Sequence, residues 1–447
     1  MKKIIVLIFI CLLLVPVRVQ AQEKEKKTGD TTGFVPGGVP AIAYDTDIGF
    51  LYGLILNFYF YGDGSRYPKF DHSIYMEWSR TTKGTGNNVL RFDSDRILPG
   101  IRTLGEVSYY TEQALDFYGF NGYKAYYNPD FEDDSPDNGE YLSRLFYRLD
   151  RKMLRLRTDF SGDIIENKLK WFGGLEFYNN RIDTVNITRL NKGKDEDKKL
   201  PGVGGGLYGR YAYDWDILPQ DQLNGGTHTL IKAGLIYDTR DNEPNPMKGI
   251  WTEAQILIAP SFLSDKDLSY TKLILTHRQY FTLIPRDLNL VYRISYQAKL
   301  TGEMPFYMLP FVFNSPPSWT RDGIGGSKTM RGIMRSRVVG EDYLFGNVEM
   351  RWKFVHFTLW KWNVYLALNG FLDGGMVTGE YKLINMDDLP PEASKYFPDE
   401  KETLHLSSGG GLHIALNENF IIAADYGRAL NKRDGDQGFY IGLDFLF

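Results

Sequence analysis

The strongest regularity along this chain is an alternation of apolar and polar residues with a period of two. In 344–354, Leu344, Val348, Met350, Trp352 and Phe354 fall on one side, and Asn347, Glu349, Arg351 and Lys353 on the other. In 288–300, Leu288, Leu290, Tyr292, Ile294, Tyr296, Ala298 and Leu300 alternate with Asn289, Arg293, Ser295, Gln297 and Lys299. In 50–60, Phe50, Tyr52, Leu54, Leu56, Phe58 and Phe60 share a face, and 437–447 sets Phe439, Ile441, Leu443, Phe445 and Phe447 against Tyr440, Gly442 and Asp444. Successive side chains of a strand point to opposite sides, so each segment reads as a strand with one apolar and one polar face.

Applied along the whole chain, the pattern predicts strands at 39–45, 49–60, 72–81, 88–97, 102–112, 143–160, 167–183, 228–239, 250–261, 269–284, 288–301, 343–354, 363–376, 404–416, 420–430 and 437–447. A soluble β-sandwich also alternates. Here, however, the polar faces carry charges strand after strand, including Arg151, Arg155, Arg157, Glu349 and Arg351. The apolar faces hold about six side chains each, which suits a hydrocarbon band about 25 Å tall. The fold class expected is therefore all-β: a 16-stranded antiparallel transmembrane β-barrel over residues 37–447. Long connections at 113–142, 184–227, 302–342 and 377–403 are candidate functional loops.

Composition sharpens this reading. Hydrophobic residues make up 43%, charged residues 24%, and the chain has 46 Gly, 30 Tyr and 28 Phe. A mean hydropathy of −0.33 is far below that of a helical membrane protein. A barrel scores this way because a polar interior offsets its apolar exterior, while aromatics supply its interfacial girdles. After Ala21, no run approaches the roughly 18 apolar residues of a transmembrane helix. At the start, Lys2 and Lys3 precede the apolar run Ile4–Val15, and Val19 and Ala21 place small residues before a cleavage site. Residues 1–21 thus read as a secretory signal peptide, and the charged segment 22–36 as a flexible periplasmic linker.

Several chemistries are excluded. The net charge of −4 gives no footprint for nucleic acid. Cys11, the one cysteine, lies in the signal segment, so neither a disulfide framework nor a structural zinc site is expected. No Gly-x-Ser-x-Gly or His-Glu-x-x-His occurs, and the six histidines are scattered. His405 with Ser407 is the pair to weigh for lipid hydrolysis. The expectation is a non-enzyme with no catalytic residues, no metal and no cofactor.

The segment Gly325–Arg337 (GGSKTMRGIMRSR) sits in the 302–342 connection, just before an alternating strand. Here the chain resembles the BamA/TamA superfamily of outer-membrane assembly and secretion barrels, also called bacterial surface antigens. That family carries a Val-Arg-Gly-Phe/Tyr motif on its sixth extracellular loop. Met330-Arg331-Gly332-Ile333 stands in its place, departing at the first and last positions. Tyr237–Gly249 (YDTRDNEPNPMKG) is similar to the family's strand–turn–strand, with Asp238, Arg240 and Asp241, then Pro246 and Gly249. Phe371–Val377 (FLDGGMV) is similar to a late strand with an inward Asp373, and the end of the chain, with Phe445 and Phe447, to the C-terminal signal of assembled outer-membrane proteins. The resemblance covers roughly 37–447. It implies that the sixth extracellular loop folds into the lumen.

The residues themselves support such a lock. By alternation, Glu349 and Asp373 both project inward from neighbouring strands. A guanidinium has five donors and pairs bidentately with carboxylate. Arg331 is therefore expected to contact Asp373, with Glu349 adjacent. Pro40 lies in the first strand, and proline cannot donate to a ladder. It either marks the strand start or weakens a seam between the first and last strands. The resemblance implies a lateral gate at that seam.

Members of the family that insert proteins carry periplasmic POTRA domains before the barrel. Residues 22–36 leave no room for one. The functions expected are an accessory role in outer-membrane protein insertion or secretion, or alternatively a passive or gated outer-membrane pore or translocator. The partners expected are outer-membrane lipids and a periplasmic or outer-membrane protein that supplies client capture.

Overall fold

Sixteen strands close on themselves. They are β1 (Phe34–Asp45), β2 (Gly49–Phe60), β3 (His72–Thr81), β4 (Thr85–Leu98), β5 (Ile101–Asp116), β6 (Arg148–Ile165), β7 (Leu169–Asp183), β8 (Gly225–Asp238), β9 (Gly249–Ala259), β10 (Tyr270–Ile284) and β11 (Leu288–Gly302), then β14 (Asp342–Leu359), β15 (Trp362–Gly379), β16 (His405–Leu416), β17 (Phe420–Ala429) and β18 (Gln437–Leu443). Two short strands, β12 (Val312–Phe313) and β13 (Trp319–Thr320), pair with each other between β11 and β14. The computed structural model describes residues 32–66, 69–314, 319–359, 362–416 and 420–447. The signal peptide and the linker up to residue 31 lie outside the described residues.

Each barrel strand pairs antiparallel with its sequence neighbour, and β1 meets β18 to close the cylinder. The side-chain alternation is what closure requires. Outward positions such as Leu54, Trp78, Leu90, Leu175, Ile256, Met350 and Leu372 are exposed apolar groups, whereas Arg151, Arg155, Arg157, Glu176 and Glu349 face inward and are buried. The inward charges neutralise one another. Glu106 meets Arg91 at 2.8 Å, Arg155 at 3.2 Å and Arg157 at 3.4 Å, and Arg151 meets Glu112 at 2.6 Å.

Strand direction alternates, so connections that follow odd-numbered barrel positions all emerge at one end. The four long ones, 117–147, 184–224, 303–341 and 380–404, share that end. There they condense into a dome. Phe117 and Phe146 from the first, Tyr208 and Tyr211 from the second, Phe306 from the third and Tyr396 from the fourth belong to one buried apolar cluster. The other end has mainly tight turns. The β6–β7 turn places Asn167 at φ +56°, a conformation Asn tolerates.

Three expectations need correction. β1 begins at Phe34, inside the segment expected to be linker, because Phe34–Pro36 pair with Phe58–Phe60 of β2. Pro40 does not mark the strand start: it sits mid-strand opposite Leu54. The last strand does not run to Phe447. β18 stops at Leu443, Asp444 adopts φ +66°, and the alternation breaks there. Phe439 and Leu443 are exposed outward, but Phe445 and Phe447 are turned inward and buried.

Candidate functional site

The 303–341 connection presents Met330–Ile333 on a small hairpin. Ile324 bridges Val338, and Gly326 bridges Met330. The Gly326 amide donates to the Ile333 carbonyl at 2.8 Å. Met330 and Ile333 are fully buried among Val312, Ile324, Tyr343, Phe345 and Val377. The two positions that depart from the family pattern thus serve as apolar anchors, a role any well-fitting aliphatic side chain can fill.

Between these anchors, Arg331 meets three carboxylates on strands. Its Nε lies 3.0 Å from Asp373 Oδ2, one Nη 2.6 Å from Glu349 Oε1 and the other 3.1 Å from Asp425 Oδ2. The Arg331 backbone amide also donates to Asp373 at 3.0 Å, and its guanidinium lies 3.5 Å from the centre of the Phe371 ring. Burial alone would disfavour the charge. Glu349, Asp373 and Asp425 together outweigh it and raise the guanidinium's pKa above its ordinary value. The expected Arg331–Asp373 contact, with Glu349 adjacent, is present.

Gly332 follows at φ +91°. A Cβ there would sit 2.5 Å from the Arg428 amide nitrogen and from the Gly427 carbonyl carbon. The hairpin therefore lies directly on the β17 backbone, and only glycine at 332 permits it. The Gly332 amide donates to the Tyr440 hydroxyl at 3.0 Å, which ties the hairpin to β18.

Asp425, Tyr440, Phe371 and Gly427 were not singled out from sequence. Asp425 carried the signal that found its two companions, a lone acid at an inward position of FIIAADYGRA. The identity of the groups meeting Arg331 depends on how strands stack around the cylinder, and one sequence does not carry that.

The turn motif is brought together but away from Arg331. Arg240 pairs with both oxygens of Asp238 at 3.0 Å and lies 4.4 Å from the centre of the Trp251 ring. Asp241 accepts from the Met247 and Lys248 amides at 3.0 and 3.2 Å. The Pro246 carbonyl accepts from Asn289 at 3.0 Å, which seats the turn against the wall. Gly249 takes φ +112°, where a Cβ would meet the Thr239 carbonyl at 2.4 Å. His405 is not placed for hydrolysis. Its Nδ1 faces Asp434 at 2.7 Å and its Nε2 faces Glu402 at 3.1 Å, so both nitrogens are engaged by acids.

The seam is thin. β1 pairs with β2 along its full length, from Phe34↔Phe60 to Asp45↔Gly49. With β18 it pairs only at Tyr44↔Ile441 and Asp45↔Tyr440, supplemented by the Thr46 amide donating to the Phe439 carbonyl at 3.1 Å. The rest of that edge, Phe34–Ala43 including Pro40, has no partner in β18 among the described residues. The residues that would continue the pairing have turned inward instead. Phe445 lies 4.1 Å, and Phe447 5.1 Å, from the Arg351 guanidinium. Arg351 donates to the Phe447 carbonyl at 3.0 Å.

Comparison with known proteins agrees with this geometry. The Omp85 superfamily domain matches residues 119–447. Among solved structures, BamA from Haemophilus ducreyi lacking POTRA domains 1-3 superposes with a TM-score of 0.54 at 12% identity, over 93% of this chain and 71% of that one. CdiB from Escherichia coli superposes with a TM-score of 0.55 at 11% identity, over 93% of this chain and 63% of that one. The chain thus spans less than two thirds of the CdiB chain. No curated protein matches the sequence. A closed sixteen-stranded barrel whose loop arginine meets carboxylates of its own wall, with a family match over most of its length, places this chain in the Omp85 superfamily as a bacterial outer-membrane β-barrel.

Proposed function

We propose that this barrel is an accessory factor in outer-membrane protein insertion or secretion, and that it works at the β1–β18 seam. The observation that carries this reading is the free edge of β1 from Phe34 to Ala43. An unpaired edge offers a row of backbone donors and acceptors to an incoming strand. Pro40 within it removes one donor and weakens closure against β18. The 303–341 connection occupies the lumen as a plug, and Arg331 is the lock that keeps it there. A periplasmic or outer-membrane partner protein supplies client capture. No step calls for catalysis or a cofactor.

A cross-seam tether tests the reading. Tyr44 and Ile441 are direct Cα partners, so a Tyr44→Cys/Ile441→Cys pair can be bridged under oxidising conditions. Deleting the gene should alter the outer-membrane proteome or the surface lipoproteins. The wild-type gene should restore it, and the oxidised tether should not until it is reduced. An unchanged proteome on deletion, or full restoration by the oxidised tether, refutes the assembly role.

The runner-up is a gated pore or translocator. The charged inner wall of β5–β8, with Arg155 and Glu176 paired at 3.0 Å, is what favours it. Planar-bilayer recordings separate the two: under the assembly reading, the dome keeps the intact protein electrically silent.

A further inference from the structure

The outer surface of β9–β11 carries four polar side chains that touch one another. Thr252 Oγ1 lies 2.7 Å from His277 Nδ1, His277 Nε2 lies 3.2 Å from the Tyr292 hydroxyl, and that hydroxyl donates to Gln279 Oε1 at 2.9 Å. Strand alternation puts all four outside. Their inward neighbours Glu253, Thr276, Tyr280 and Arg293 are buried, while Ile256, Leu275, Phe281 and Ile294 on their own face are exposed and apolar. The cluster therefore lies on the surface that meets lipid. Polar groups there are costly, and by default they mark a site.

The hydrogens run one way. The Gln279 amide oxygen can only accept, so the Tyr292 proton goes to it. The Tyr292 oxygen then takes the proton on His277 Nε2, which leaves Nδ1 bare to accept from the Thr252 hydroxyl. Such a chain satisfies its middle and leaves its ends open. The Gln279 amide nitrogen keeps two donors for a partner, and the Thr252 oxygen keeps its lone pairs.

We propose that this patch is the contact face of a symmetric pair, in which a second copy of the chain docks its own β9–β11 wall against it. An open donor at one end and an open acceptor at the other make the chain of bonds self-complementary. A two-fold axis brings each Gln279 to the partner's Thr252. Two barrels in one membrane share orientation, so their axis runs along the bilayer normal and preserves depth. Self-pairing then requires Gln279 and Thr252 at similar heights. The ladder sets Thr252 opposite His277 and Gln279 opposite Ile250, so the two lie within two residues of each other, near the end of the wall where β9 starts. Ala254 lies exposed beside Thr252 on the same face, and its small side chain lets two walls approach closely, as membrane interfaces favour. A lipid or a different protein is the competing occupant.

Thiol cross-linking in native outer membranes decides the matter. Cys11 is the only cysteine, so Ala254→Cys with Cys11→Ser gives one reporter on the patch. Leu90→Cys on β4 gives a control on a distant stretch of the same outer wall. The expected result is an oxidative dimer of twice the mass from Ala254→Cys and none from Leu90→Cys. Adding Thr252→Val and Gln279→Leu should lower the dimer yield about tenfold, since a hydrogen bond in lipid is worth roughly threefold and two are lost. Heat-modifiable migration confirms that each variant still forms a barrel. A dimer yield at Ala254→Cys no higher than the control, a yield indifferent to the double substitution, or a cross-link to another protein each overturns the proposal.

Discussion

Replacing Arg331 with Met keeps the bulk of the side chain and removes its charge. Three carboxylates face that charge, and they do not lose equally. Glu349 keeps Arg351, whose Nε lies 2.7 Å away, and Asp425 keeps His413 at 2.8 Å. Asp373, fully buried, takes its hydrogen bonds from the Arg331 guanidinium and backbone amide. It keeps the backbone amide but, among the described residues, no ion pair within 4 Å, a situation that costs about 3–5 kcal/mol. Solvent screening gives little relief, because the side chains of Arg331, Glu349 and Asp373 are at most 2% exposed. The cost falls on the hairpin's docking, so protease cleavage within 303–341 should rise by two orders of magnitude or more while the wall remains heat-modifiable. Asp373→Asn in the same chain should recover most of the loss, and Glu349→Gln should recover little. If Arg331→Met resists protease like the wild type, or if the two second substitutions rescue equally, the reasoning about Asp373 is wrong.

Three further outcomes follow from particular contacts. Gly332→Ala meets backbone rather than a movable side chain and should weaken hairpin docking by roughly 2–4 kcal/mol, read as faster proteolysis within 303–341. Phe445→Ala removes a ring packed on Tyr365, Ala367, Ala415 and Ile421. It should release the tail by about 3 kcal/mol, seen as roughly hundredfold faster hydrogen exchange at 444–447, with exchange in β16 unchanged. In the dome, burial pushes Glu132 up to about 7 from an ordinary 4.5, although Arg148 sits 3.1 Å away. A raised carboxylic acid stabilises the fold while it is protonated. Its contribution, roughly 3 kcal/mol at most, is complete below pH 4.5 and is lost as pH rises through 7. Protection of 117–147 from protease should fall across that window, and Glu132→Gln should remove the dependence.

The wall was readable from sequence because a period of two is dictated by the backbone itself. Each of the sixteen strands of the cylinder overlaps a segment that alternation placed, but several ends differ, as where β6 runs Arg148–Ile165 rather than 143–160. Misjudged boundaries have local causes. Phe34–Pro36 read as linker because Pro36, Gly37 and Gly38 interrupt the alternation, yet β2 supplies them with partners. The tail read as strand because Phe445 and Phe447 keep step with Phe439 and Leu443. Only the left-handed Asp444 turns them inward, and aspartate gives no unambiguous sign of that conformation. At the site, the motif and two of the three carboxylates were legible because Met330–Ile333 and Phe371–Val377 resemble family motifs and alternation turns Glu349 and Asp373 inward. The partners that hold the hairpin, Gly427 by backbone proximity and Tyr440 by its hydroxyl, carry no charge to betray them. The polar group on β9–β11 was hidden differently: Thr252, His277, Gln279 and Tyr292 come from three strands and become a unit only once those strands are in register.

The dome has a bearing on how the molecule is made. Its core draws on four connections separated by long stretches of wall, so it cannot form until those stretches have found their neighbours. Each connection must also reach that end of the barrel carrying phenylalanine, tyrosine and tryptophan with nothing yet to cover them. Transit of these aromatic-rich segments, rather than zipping of the hairpins, is therefore the step at which biogenesis of this barrel should slow.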